Sequence, residues 1–255
     1  MHRVTWQRAT LVAFVLTGVL LAVLALAHGA LSRTYSGRTP WLGVRVCVTG
    51  VVFAAGSIAW KGLVPDSFAP VSNKRIAISI GGTLALLAGS LGLDALARVT
   101  GWNTFDGSAQ VAAEVRRMDS SEFALASVII ALVPAVGEEL FFRGSMLPYL
   151  FKRQPAWVAI VTSSVLFGAV HGCTKQGLLA GLLGLILGWV RIQAGLVASV
   201  LAHASNNFAF AWLARSVPND LPLPIAFALS SLLGASGAWL LARSGSSVAS
   251  HDGRI

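Results

Sequence analysis

Between Pro134 and Gly144 the chain reads PAVGEELFFRG, and Glu138, Glu139 and Arg143 stand there among alanine, valine, leucine and phenylalanine. On a helix winding about 100° per residue, Glu139 and Arg143 are four apart and share a face, so they can form an ion pair. Glu138 is five from Arg143, points elsewhere, and is left without a partner nearby in the sequence. A carboxylate kept from water and from cations suits general-base work near neutral pH. Two further stretches bring possible companions. FGAVHG holds His171 four residues after Phe167, and HASNN holds His203 and Asn207 four apart on one face, with Asn206 turned away.

Each of these features has a bland reading when taken singly. A Glu–Arg pair can be purely structural, an intramembrane histidine can be a hydrogen-bonded packing residue, and Asn207 can be interhelical glue. The other three histidines do not compete: His2 and His251 lie in polar termini and His28 at a membrane boundary. Three neighbouring apolar segments thus contribute Glu, His, and His plus Asn, where little else is polar. Such groups face a bundle interior or a wet cavity, because lipid leaves them unsatisfied. Together they point to one shared site.

The elements that must position this site are membrane helices. Of 255 residues, 55% are hydrophobic and only 11% charged, with a mean hydropathy of +0.73. Soluble domains carry about 25% charged residues, so the fold class expected is an all-α, polytopic integral membrane protein. A charge at the middle of a membrane helix costs about 2.5–3.5 kcal/mol, which makes the charges within apolar segments the informative ones. A span needs about 20 apolar residues, and eight windows qualify: Ala9–Ala30, Pro40–Trp60, Ile76–Leu96, Ser121–Phe142, Pro155–His171, Gln176–Ile192, Gly195–Arg215 and Leu223–Arg243. The fifth and sixth are short and joined by GCTK, as in a tight hairpin or a tilted pair. Asp94 and Arg45 are read as the only other charges clearly inside spans. The first window is longer than the 7–15-residue core of a signal peptide and reads as a retained span.

The remaining features bound the function further. A net charge of +9 could suggest nucleic acid, but no basic cluster exceeds two adjacent residues, and scattered Lys and Arg beside spans are a topology signal. That signal leans toward a cytoplasmic N-terminus. Cys47 and Cys173 form neither a disulfide framework nor a metal motif and read as packing residues. Between Ala97 and Ser120 lies the longest polar interval, where Val111, Val115 and Met118 suit an interfacial amphipathic helix or else a plain loop. Gly177 with Gly181, and Gly184 with Gly188, are spaced for close helix packing. The tail from Ser244 reads as disordered. The chain divides into N-terminal helices and an interfacial segment (1–120), a core (121–215), and a last helix with its tail (216–255).

EELFFR, FGAVH and HASNN, in that order, resemble the three motifs of the CAAX protease and bacteriocin-processing family: EExxxR, FxxxH and HxxxN, each on its own membrane helix. The resemblance covers Ser121 to Trp212. It implies an intramembrane endopeptidase like the eukaryotic enzyme that trims the last three residues of prenylated CAAX proteins. On that likeness Glu138 is the catalytic glutamate, supported by Glu139 and Arg143. His171 is the second catalytic residue, and His203 with Asn207 stabilises the oxyanion. The partners implied are a membrane-associated protein or peptide substrate and the lipid bilayer, and no nucleic acid. Family members are often described as metalloproteases, and Glu138, His171 and His203 would be the ligands of a divalent metal such as zinc, with a fourth position open for water. HExxH is absent, and a glutamate-only mechanism competes. Arg-, Ala- and Gly-rich usage suggests a bacterial plasma membrane. Two other classes stay open: a proton-coupled transporter using the buried Glu, His and Arg as a relay, and a non-catalytic scaffold or immunity protein.

Overall fold

In the computed structural model, residues 6–35, 41–59, 72–101, 107–172, 175–217 and 221–244 are described, and every regular element among them is helical. The helices are α1 (Trp6–Tyr35), α2 (Trp41–Ala59), α3 (Asn73–Val99), α4 (Gly107–Arg117), α5 (Ser120–Glu139), α6 (Leu147–Phe151), α7 (Ala156–Val170), α8 (Lys175–Ala194), α9 (Leu196–Ser216) and α10 (Leu223–Arg243). A π-helical segment, Leu140–Met146, joins α5 to α6 without a break. Among the described residues, six stretches are long and apolar enough to cross a membrane: Gln7–Gly29, Asn73–Val99, Ser120–Phe151, Gln176–Ala194, Leu196–Ser216 and Leu223–Arg243. Two shorter apolar helices, Val44–Ile58 and Ala156–Val170, fill the other two expected windows. The protein is therefore an all-α, polytopic integral membrane protein.

Its surface is apolar, and a cluster of polar groups is buried inside the bundle. Leu11, Leu26, Ile58, Leu125, Trp157, Leu201 and Leu232 face outward, while Glu138, Glu139, Arg143, Ser199 and His203 are buried. That is the distribution lipid imposes, since polar groups find partners only inside the bundle. Of the two other intramembrane charges expected, Asp94 pairs with Arg98 at 3.1 Å. Cys47 is exposed on α2 rather than packed, because it lies on the outward side of that helix. Cys173 and the tail beyond Ser244 lie outside the described residues.

Local chemistry sets the helix ends that matter. Asp119 caps α5 in a reciprocal capping box with Glu122, which satisfies two backbone donors at once. Hydrogen bonds from the Glu122 backbone N–H and from Ser121 hold the Asp119 carboxyl below its usual range. The α7–α8 hairpin turns at Gly172, whose φ of +94° is a region that side chains with a Cβ rarely adopt. The polar interval does contain an amphipathic helix, α4. Its apolar face, Val111, Val115 and Met118, turns to the bundle and packs with Ile130, Ala211 and Ala214. Arg116 Nε donates to the Ala214 carbonyl at 3.0 Å, and Arg215 donates to the carbonyls of Arg116 and Met118.

The remaining helices form a frame around α5. Leu20 and Leu24 of α1 and Phe53 of α2 pack behind it against Phe141 and Phe142, and Leu86 of α3 joins Leu187 of α8 and Ala202 of α9. The small residues of α8 make the close approaches expected of them: Gly177 and Gly181 meet Gly168 of α7, and Gly188 meets Ile160. The closest contact bearing on the site is between α2 and α5, where a Cβ added to Gly137 would stand 2.8 Å from Gly50 Cα. Backbone cannot yield as a flexible side chain can. A Gly137→Ala variant is therefore expected to be destabilised by about 1–3 kcal/mol through overpacking, read as an earlier unfolding transition in detergent. The strain would fall one residue from Glu138.

Candidate active site

α5 carries Glu138 and Glu139 as its last two residues, and the π segment carries Arg143. The uniform 100° winding expected from sequence fails here. From Leu140 the chain winds more widely, and six successive residues, Phe141 to Met146, are buried. The helix also runs on to Phe151 instead of ending at Phe142, because Arg143 is neutralised and buried within it. Wider winding changes the backbone accounting. Leu147 N–H bonds to the Phe142 carbonyl five residues back. In the same pattern the Arg143 carbonyl would require a donor from Pro148, which has no N–H. Arg191 of α8 supplies one instead, its Nε lying 3.0 Å from that oxygen. Ser145 Oγ likewise serves the Leu140 carbonyl at 3.1 Å.

Glu139 is a hub. Its Oε1 accepts from Arg143 Nη1 and from His203 Nδ1, both at 3.1 Å, and its Oε2 accepts from Ser199 Oγ at 2.5 Å. The carboxylate and the guanidinium are both fully buried. Arg143 also donates through Nη2 to the Gly184 carbonyl at 3.1 Å, and its guanidinium carbon lies 4.3 Å from the Phe167 ring centroid, within cation–π range. These contacts offset the desolvation of a fully buried cation.

Glu138 is placed differently. Its Oε2 is buried with no hydrogen-bond partner among the described residues. It lies 3.8 Å from His171 Nε2 and 3.9 Å from His203 Nε2. Both imidazoles are fixed from behind. His171 Nδ1 is 2.8 Å from the Phe167 carbonyl, and His203 Nδ1 is held by Glu139. A carbonyl and a carboxylate only accept, so each Nδ1 carries a proton and each Nε2 is the atom turned to Glu138. Phe167 spaces the two rings, 4.8 Å from His171 and 5.7 Å from His203 between centroids.

Three helices thus bring Glu138, His171 and His203 together, with Glu139 and Arg143 directly behind. Asn207 follows His203 by one turn, is half-buried, and its side chain makes no hydrogen bond among the described residues. Asn206 is turned away toward α3, where it accepts from Ser90 Oγ at 2.7 Å. Three neighbours of the site escaped the sequence reading. Ser199 precedes His203 by one turn on the same stripe, and that spacing was the available signal. The spacing of Gly184 signals packing alone, yet its carbonyl also accepts from Arg143. Arg191, near the end of the sixth window, is 8% exposed and so is a further intramembrane cation.

The candidate metal ligands do not fit a metal as they stand. Zinc bonds to imidazole and carboxylate at about 2.0–2.2 Å. Donors 3.8 and 3.9 Å apart would open the ligand angles well beyond tetrahedral. Among the described residues no three His, Cys, Asp or Glu side chains are placed to hold an ion together.

Residues 120–209 match the family described as Rce1-like, type II CAAX prenyl endopeptidase Rce1-like. That stretch contains every residue of the site from Glu138 to Asn207, and the match bears out the resemblance to the CAAX protease and bacteriocin-processing family in this part of the chain. It supports a membrane-embedded protease as the general class. No curated protein and no solved structure matches the chain.

Proposed function

We propose that this protein is an intramembrane endopeptidase that hydrolyses a peptide bond in a membrane-associated protein or peptide, with Glu138 as its base. One observation carries the reading: the buried, unpartnered Oε2 of Glu138 stands 3.8 and 3.9 Å from two imidazole nitrogens. Those separations are too long for direct hydrogen bonds and suit a water bridging the three groups. Glu138 takes one proton from that water while its oxygen bonds to the scissile carbonyl carbon and the C=O π pair moves onto oxygen. His171 accepts the water's other proton as a hydrogen bond and orients it. Collapse of the oxyanion breaks the C–N bond, and Glu138 passes its proton to the departing amine.

His203 and Asn207 donate to the oxyanion. His203 has committed Nδ1 to Glu139, so it donates from Nε2 as an imidazolium with both nitrogens protonated. The charges then sum to zero, with two carboxylates facing Arg143 and His203. A donor of this kind contributes about 2.7–4 kcal/mol to transition-state stabilisation. The mechanism is metal-free, so 1,10-phenanthroline and EDTA are expected to leave the cleavage rate within twofold of its starting value. Inhibition reversed by added zinc would show a metal to be required. A bacterial plasma membrane is the proposed address.

Comparative peptidomics of membranes holding the wild type or Glu138→Gln, at equal protein levels, tests the function. A defined cleavage product lost with the variant is expected, and it would name the bond. Identical peptide profiles, or a proton flux that changes instead, would reject the protease reading.

A further inference from the structure

Ser199 belongs to no motif of the resemblance, yet it makes the shortest hydrogen bond at the site, 2.5 Å from its Oγ to Glu139 Oε2. Resting on the reading above, we infer that Ser199 is a positioning residue that orients the Glu139 carboxylate, so that Oε1 faces His203 Nδ1 and fixes the ring that serves the reaction. Hydroxyls in membrane helices commonly bond back to the carbonyl four residues earlier, and in this chain Thr17, Ser79, Thr83 and Ser164 do so. Ser199 instead bridges α9 to α5. It is fully buried.

The hydroxyl has one proton and two acceptors in reach, Glu139 Oε2 at 2.5 Å and the Leu187 carbonyl at 3.2 Å. The carboxylate is nearer and charged, and such bonds are about twice as strong as neutral ones. The proton therefore goes to Glu139. With Oε2 tied down, the plane of the carboxylate is set, and Oε1 receives Arg143 and His203 together. Without the hydroxyl, the carboxylate can rotate to meet Arg143 with both oxygens, a bidentate arrangement arginine favours, and His203 Nδ1 loses its acceptor. The hydrogen bond at one ring nitrogen decides which nitrogen carries the proton. Ser199 thereby acts on the Nε2 that faces Glu138.

The test uses the full chain in lipid nanodiscs with ¹⁵N-labelled histidine, the His203 signals being assigned by their loss in His203→Gln. At a pH where the ring is neutral, the wild type is expected to show His203 protonated on Nδ1. Ser199→Ala is expected to move it toward the Nε2-protonated form, and Ser199→Thr, which keeps the hydroxyl, to restore Nδ1. In parallel, cleavage of a fluorogenic peptide spanning the bond found by peptidomics is expected to show kcat about tenfold lower for Ser199→Ala, with KM within twofold and rescue by Ser199→Thr. An unchanged His203 tautomer in a folded Ser199→Ala protein overturns the inference, as does full kcat. If Ser199→Ala fails to fold, a Ser199→Thr or Ser199→Cys protein whose His203 is Nε2-protonated would equally overturn it. If the wild type cleaves nothing, the protease reading falls, and the tautomer still decides the role of Ser199.

Discussion

An Arg143→Met variant is expected to lose about 3–5 kcal/mol of stability, the cost of breaking a buried ion pair from one side, and to unfold at a markedly lower temperature or denaturant concentration in nanodiscs. Arg143 and Glu139 have no exposed side-chain surface, so water cannot solvate whichever partner is left. Losing the guanidinium leaves the Glu139 carboxylate with Ser199 and His203 alone. It also removes the donor to the Gly184 carbonyl and the cation above Phe167. Replacing both charges is predicted to be milder than replacing one, since a neutral pair leaves no uncompensated buried charge. The double variant Glu139→Gln, Arg143→Met should therefore regain much of the loss. It should remain inactive, because a neutral Glu139 replacement no longer balances a protonated His203. Additive losses in the double variant would mean that the two residues are not energetically coupled.

The coarse architecture is legible because lipid makes it so. A span must be apolar over about 20 residues, and an apolar helix lies in each of the eight expected windows, six of them long enough to cross among the described residues. The split between the two glutamates is legible for a similar reason: four-residue spacing to Arg143 is a property of helices, and the pair forms at 3.1 Å. What the sequence conceals is set by contacts between helices. Nothing local to LFFRGSM announces π winding. That winding is tolerated because Arg191, nearly fifty residues later, serves the carbonyl that Pro148 cannot. The fourth window closes at Phe142 because hydropathy falls at Arg143, while the helical stretch continues to Phe151 through a neutralised charge. Gly184 has the same spacing as its neighbours, and only the packing of α8 on the π segment makes its carbonyl the acceptor for Arg143. Only α4 lay between these cases: its periodicity was readable, but not that its apolar face turns to α5 and α9.

Glu138→Gln is expected to lower kcat by about 10²–10⁴, the range attributed to a positioned general base, while leaving stability close to that of the wild type. The second half of that expectation separates the two glutamates. Glu138 Oε2 accepts no hydrogen bond among the described residues, so an amide of the same shape removes no partnered contact, whereas Glu139→Gln disturbs three. A folded, inactive Glu138→Gln beside a destabilised Glu139→Gln is the predicted contrast, measured as kcat and unfolding midpoint on the same preparations. Glu138→Asp should fall between, keeping the carboxylate but withdrawing it from His171 and His203 by one methylene. Cleavage at the wild-type rate by Glu138→Gln would place the base elsewhere.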